Sequence, residues 1–188
     1  MMQRPSDQRV LGYLGRGLSL EFTAVQQYST QARLLAIWGL AEPAKRMRNE
    51  ATEEMGHVDR IISRMLALCV APSASQLRPV QVGQDLQALL RHNQTLEFEL
   101  IRLYTDAVRH CARQGDHDNR LFFEALLAEE EAHGDELARW LEELESPGAV
   151  NPVQQRATMY NNSARTEEKR YEQSVAGAQA PTSPGAAL

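Results

Sequence analysis

Thiols are scarce in this chain. Its only cysteines, Cys69 and Cys111, lie far apart and in no metal-type spacing. That excludes a disulfide scaffold and a zinc-thiolate site, and both read as reduced packing residues of a cytosolic protein. No stretch approaches the ~18 consecutive apolar residues of a membrane span. The start, "MMQRPSDQRVLGYLG", has no apolar signal-peptide core. A soluble, cytoplasmic protein is therefore expected. A basic block is missing too. With net charge −5 and pI near 5.6, nothing is present to release phosphate counterions, and a nucleic-acid surface is excluded. Sustained period-two alternation is also absent, so no sheet is predicted.

What is present is a chain of 188 residues, 43% hydrophobic and 24% charged, enough for one domain with a sizeable core. Four segments carry apolar residues at three- and four-residue steps and predict amphipathic helices. The first runs from about Asp7 to Trp38 (Leu14, Leu18, Val25, Tyr28, Leu35), the second from about Glu42 to Leu68 (Met47, Ile61, Met65, Leu68). The third runs from about Gln84 to Ala112 (Leu86, Leu90, Ile101, Tyr104, Val108), the fourth from about Asn119 to Leu144 (Phe123, Leu127, Leu137, Leu141).

Gly39 in "WGLAEP" suits a left-handed helix end, and Pro43 suits the first turn of the next helix. Gly115 in "RQGDHDN" plays the same part between helices three and four. Connections this short predict two antiparallel hairpins. The link between them, "VAPSASQLRPVQVG", has 14 residues, two prolines and no helical period. It can extend ~45 Å, the length of a bundle. The expected fold is all-α, a four-helix bundle with a long crossover between helices two and three. "SPGAVNPVQQRA" allows a short fifth helix, weakened by Pro147 and Pro152. The domain is expected to span residues 1–157. Residues 158–188, poor in large apolar side chains and ending rich in Ala, Pro, Ser and Gly, are expected to form a flexible tail.

The acids repeat. Glu21 and Glu54 are 33 residues apart, as are Glu97 and Glu130, and each hairpin glycine lies 18 after the first acid and 15 before the second. At ~1.5 Å per residue the paired acids sit at nearly one height on antiparallel helices. All four lie on core stripes, and His57 and His133 follow Glu54 and Glu130 by three, sharing their faces. Four carboxylates and two imidazoles therefore converge at mid-bundle. Buried carboxylates need compensating charge. The core stripes offer no arginine at this level, whereas two divalent cations neutralise four carboxylates.

One Glu from each of two helices and Glu-x-x-His from each of the other two is the pattern of ferritin-like di-iron proteins, a worked example of bundle-core metal sites. Within that group the chain resembles bacterioferritins from about residue 7 to 157. The segments that carry the resemblance are "LSLEFTAVQQY", "EEMGHVDRIISRML", "LRHNQTLEFELIRLY" and "LLAEEEAHGDELARWL". The resemblance implies an iron-storage ferroxidase that oxidises Fe(II) with dioxygen or peroxide and keeps the ferric mineral in an oligomeric shell. Glu21, Glu54, His57, Glu97, Glu130 and His133 would be the ligands of a di-iron centre. Glu54 and Glu130 would bridge, Glu21 with His57 would complete one metal, and Glu97 with His133 the other. Tyr28 matches a family tyrosine beside that centre and would donate an electron or a hydrogen bond. Met55, turned ~100° from Glu54, matches a methionine that ligates haem b between twofold-related subunits. A homo-oligomer of 24 subunits and a ferredoxin-type electron donor are implied as well.

Departures from the family accompany these matches. Where the family often has a histidine, this chain has Asn49, followed by Glu50 and Glu53 as candidate stepping stones for iron. Asn151 and Gln154 match pore-lining polar residues of the family, but Pro147, Pro152 and the long tail depart from its usual shell. Two other functions stay open: a di-iron oxidase or peroxidase without storage, and a ferritin-like cargo protein directed by its tail.

Overall fold

The computed structural model describes residues 7–72 and 76–146. Four α-helices account for most of them: α1 (Gln8–Ile37), α2 (Ala41–Ala67), α3 (Leu86–Gln114) and α4 (His117–Glu145). No strand occurs among the described residues, and no helix there is long and apolar enough to cross a membrane. The chain has the predicted all-α bundle. The segment expected to hold a short fifth helix, with Pro147, Asn151, Pro152 and Gln154, and the tail from 158 lie outside the described residues.

Three aspartates decide where helices begin. Asp7 accepts from Arg9 N, Asp85 from Ala88 N and Asp116 from Asn119 N. Each satisfies an amide that the first turn leaves without a partner. Capping by Asp85 starts α3 at Leu86 rather than Gln84, and capping by Asp116 starts α4 at His117 rather than Asn119. Gly39 and Gly115 close α1 and α3 with φ of 78° and 68°, a conformation that costs glycine nothing. Cys69 ends α2 in the same region at φ 59°. It is exposed, unlike the buried Cys111, and both thiols are free. Reading Cys69 as a packing residue was therefore wrong: it sits at a chain reversal, where the side chain points away from the core.

α1 packs on α2, α3 on α4, and α1 on α3. Leu14, Leu18, Leu35, Met47, Ile61, Leu90, Leu100, Phe123 and Leu126 are fully buried between them. The predicted stripes shift by one position in places. Val25, Ile101, Val108 and Leu127 are half-buried, whereas their neighbours Ala24, Leu100, Ala107 and Leu126 are buried. A helix packed against two neighbours buries a broad face, which a single line of three- and four-residue steps does not define.

The crossover is tied down by a polar stripe on α1 at four-residue spacing. Ser19 Oγ accepts from Gln76 N at 3.3 Å, Thr23 Oγ1 from Arg78 N at 3.5 Å and Gln27 Oε1 from Gln81 N at 3.1 Å. Gln31 Nε2 donates to Gln81 O at 3.0 Å. Inside the bundle Asn93 joins the two glutamines. Its Oδ1 accepts from Gln27 Nε2 at 2.9 Å, and its Nδ2 donates to Gln31 Oε1 at 2.7 Å. Both the amide and the carbonyl of Gln81 are thus satisfied by side chains, which lets an irregular segment lie against the bundle.

The seam between α2 and α4 is polar. Arg46 pairs with Glu136, Arg60 with Glu129, and Arg64 Nε donates to Asn119 Oδ1. The Arg46 guanidinium also lies 3.8 Å above the Trp140 ring. This polar seam passes over the middle of the bundle, where the acids converge.

Candidate metal centre

Glu21, Glu54, Glu97 and Glu130 are 0% exposed, and His57 and His133 are 3% and 8% exposed. All six meet at mid-bundle in two groups that share two members. Glu21, Glu54, His57 and Glu130 form one; Glu54, Glu97, Glu130 and His133 form the other, with ligand atoms in each group within 4.8 Å of one another.

The shared acids divide their oxygens between the groups. Glu54 Oε2 lies 3.1 Å from His57 Nδ1, and Glu54 Oε1 lies 3.2 Å from His133 Nδ1. Glu130 does the reverse, with Oε1 2.8 Å from His57 Nδ1 and Oε2 3.6 Å from His133 Nδ1. Glu21 Oε2 completes the first group at 3.4 Å from His57 Nδ1. The two imidazoles lie nearly parallel, 5.7 Å between centroids. Bonds of ~2.1 Å to nitrogen and oxygen separate neighbouring ligands of one metal by ~3.0–3.4 Å, and these spacings of 2.8–3.6 Å scatter around that range.

None of the inward atoms makes a hydrogen bond among the described residues. The unpaired set holds Glu21 Oε2, Glu97 Oε2, both oxygens of Glu54 and of Glu130, and the Nδ1 of His57 and His133. Buried carboxylates and imidazoles ordinarily find partners. Here they converge on common centres instead, with the ligand atoms of each group within 4.8 Å of one another, as the donors of a hard or borderline divalent cation would.

Outer partners hold this set in place. Behind the first imidazole, His57 Nε2 lies 2.9 Å from Glu129 Oε2, and Arg60 holds the other oxygen of Glu129 at 2.8 Å. Behind the second, His133 Nε2 lies 3.3 Å from Glu53 Oε2 and 3.9 Å from Glu50 Oε2. A carboxylate on Nε2 keeps the proton there and leaves Nδ1 a lone pair for metal. The Tyr28 hydroxyl donates to Glu97 Oε1, and the Tyr104 hydroxyl donates to Glu21 Oε1.

Every member has a counterpart 76 positions later: Glu21 and Glu97, Tyr28 and Tyr104, Glu53 and Glu129, Glu54 and Glu130, His57 and His133. The repeat thus extends past the ligands to their outer partners. From the sequence alone Tyr104 reads as a core residue, and Glu129 is not singled out. The doubled acids "EE" at 53–54 and 129–130, in register with the ligand repeat, were the available signal.

Burial raises Glu21 and Glu97 well above the ordinary carboxylate range. Burial also works to raise Glu54, but His133 and His57 outweigh it and hold Glu54 at about 2. Glu130 is likewise held low, by the same two imidazoles against its burial. For the imidazoles burial acts downward and the carboxylates win, pushing His133 up to about 12, chiefly through Glu130 and Glu54, and His57 well up through Glu130, Glu21 and Glu54. Without metal, the charges of two protonated imidazoles balance those of two ionised acids. Burial also raises Glu50, to about 7.

Met55 faces away from this cluster and is 40% exposed on the outer side of α2. Asn49 is exposed on the same helix, Glu53 is exposed and reaches His133, and Glu50 is half-buried.

Comparison with known proteins agrees with this architecture. The family described as Ferritin-like domain matches residues 11–146. The bacterioferritin of Rhodobacter capsulatus is 39% identical over 129 residues, covering 69% of this chain and 80% of that protein. That of Brucella melitensis is 34% identical over 140 residues, covering 74% and 87%. A solved structure of the Rhodobacter capsulatus protein superposes with a TM-score of 0.72 at 36% identity, covering 76% of this chain and 89% of that one. It has a metal-free dinuclear site and a heme iron in a crystallographic special position.

Proposed function

Because the chain belongs to the bacterioferritins, a ferritin-like family, we propose that it is an iron-storage ferroxidase working at the carboxylate–imidazole cluster of its bundle. Glu54 and Glu130 bridge two ferrous ions, Glu21 and His57 complete one, and Glu97 and His133 complete the other. The observation that carries this reading is the set of buried, unpaired donor atoms, with one oxygen of Glu54 and one of Glu130 turned to each imidazole.

The substrate is Fe(II). Four carboxylates offset the charge of two dications inside the bundle, where one unpaired charge would be prohibitive. Each ferrous ion gives up one electron. One dioxygen takes both with two protons to become hydrogen peroxide, or one hydrogen peroxide takes both with two protons to become two water molecules. Placing two one-electron donors together supplies the oxidant with an electron pair in one encounter. Glu129 and Glu53 keep Nδ1 of each imidazole free for iron, and Tyr28 fixes Glu97 and stands ready to donate an electron. Iron reaches and leaves the site by the polar α2–α4 seam, with Glu50 and Glu53 as stepping stones.

Met55 supports a second part of the reading. The partly exposed thioether of Met55 on an outer helix face would hold a haem b together with the same residue of a second copy, and that haem would supply electron transfer for iron release. A ferredoxin-type donor and a shell of 24 subunits built from twofold dimers complete the proposal.

The test is aerobic Fe(II) addition to metal-free protein, followed by size-exclusion with iron and haem absorbance read together. Hundreds of ferric ions per particle, co-eluting with a very large assembly, are expected. Uptake that stops near two irons per chain on a small oligomer contradicts storage and favours a di-iron oxidase or peroxidase.

A further inference from the structure

Tyr104 is 0% exposed, and its hydroxyl on α3 donates a hydrogen bond to Glu21 Oε1 on α1. Tyr28 does the converse, from α1 to Glu97 Oε1 on α3. Each hairpin thus sends one tyrosine to the terminal acid of the other. In both acids the second oxygen, Oε2, is buried and unpaired, facing the cluster. Room for this arrangement is made at Gly17, where an added Cβ would lie 3.1 Å from the Tyr104 hydroxyl oxygen and 3.2 Å from its Cε1. The counterpart of Gly17 in the second half is Asn93, which serves the crossover instead. The space beside Tyr104 is therefore a local feature of this half.

We propose that Tyr104 is a positioning residue for one metal ion: its hydroxyl occupies Glu21 Oε1 and leaves that carboxylate a single oxygen, Oε2, with which to bind. The inference rests on the dimetal reading above. Held in this way, Glu21 is biased toward binding through Oε2 alone, because chelation through both oxygens would compete with the Tyr104 hydrogen bond. Tyr28 imposes the same limit on Glu97, so both ions keep a coordination position for the oxidant, as a catalytic metal site requires. A phenol donor also orients the carboxylate before metal arrives. Outer partners of this kind typically carry ~10–100-fold of metal affinity.

The test is a Co(II) titration of metal-free full-length protein, read by calorimetry and visible absorption, for the unaltered chain, Tyr104→Phe, Tyr28→Phe and the double variant. The unaltered chain should take up two Co(II). Tyr104→Phe should weaken one of the two ions by ~10–100-fold, with a weaker visible band as the freed Glu21 chelates that ion and raises its coordination number. Tyr28→Phe should weaken one ion likewise, and the double variant both. Gly17→Ala, which crowds the hydroxyl without removing it, should change the Co(II) band in the same direction and serves if Tyr104→Phe folds poorly. A Tyr104→Phe protein that melts normally and binds two Co(II) with unaltered affinity and spectrum overturns the inference while the dimetal reading stands. If the unaltered chain binds no Co(II), both fall.

Discussion

Glu129 Oε2 lies 2.9 Å from His57 Nε2, on the side of the ring opposite the nitrogen that faces the cluster. Arg60 grips the other oxygen of Glu129 at 2.8 Å. The equivalent acid behind His133, Glu53, stands at 3.3 Å and is exposed. The two halves of the site thus share one plan, but the imidazole on the Glu129 side is held more firmly.

Glu129→Ala should therefore weaken one metal ion by ~10–100-fold, the usual effect of losing an acid behind a metal-binding imidazole. Glu53→Ala should weaken the other ion by less, because Glu53 is longer-range and more hydrated. Calorimetric titration with Co(II) checks both. Equal losses in the two variants would contradict the asymmetry.

Metal loading should release protons. Without metal, burial keeps Glu21 and Glu97 protonated, and the surrounding carboxylates keep His57 and His133 protonated against the effect of burial. Binding requires all four groups to lose their protons. Protons and metal therefore compete, and affinity falls as pH falls, by roughly tenfold per pH unit for each proton displaced. Titrations in buffers of different ionisation enthalpy count the protons directly. A pH-independent affinity would contradict the protonation pattern.

Asn93 links Gln27 and Gln31 where both hold the crossover. Asn93→Leu fills the volume but strands two glutamine amides in the core, at a cost of about 1–3 kcal/mol. Denaturant unfolding measures the loss, and hydrogen exchange at the Gln81 amide should accelerate. Unchanged stability would mean that the stripe does not fasten the crossover.

Cys69 occupies the left-handed region at φ 59°, where a side chain costs about 1–2 kcal/mol relative to glycine. Glycine also loses more entropy on folding, by roughly 0.5–1 kcal/mol. Cys69→Gly should gain the difference and raise Tm by a few degrees, about 2–4 °C per kcal/mol for a chain of this size. Differential scanning calorimetry decides it, and a lower Tm would contradict the strain.

The bundle was legible because its signals are local: apolar steps of three and four residues, a glycine at the end of α1 and of α3, and an uninterrupted 33-residue interval between acids. The six inward residues were legible for a further reason. Acids on an apolar stripe conflict with burial, and that conflict is visible in one dimension. Tyr104 caused no such conflict. A tyrosine on a core stripe is ordinary until the fold brings it against Glu21, 83 positions away. Glu129 is one acid among three in "AEEEAH" and shows no conflict of its own until α2 lies beside it. The polar stripe of Ser19, Thr23, Gln27 and Gln31 was hidden likewise. Hydroxyls and amides at four-residue spacing suit a solvated helix face equally well, and only the crossover lying on them makes them structural. Helix starts were missed by up to two residues, because apolar periodicity does not register the aspartates that cap.

Anomalous diffraction at the iron edge from crystals loaded anaerobically with Fe(II) tests the central claim most directly. The account predicts two iron peaks per chain, one beside Glu21 and His57, the other beside Glu97 and His133, with Glu54 and Glu130 between them. A single peak, or iron bound only at the surface acids of the α2–α4 seam, would contradict it.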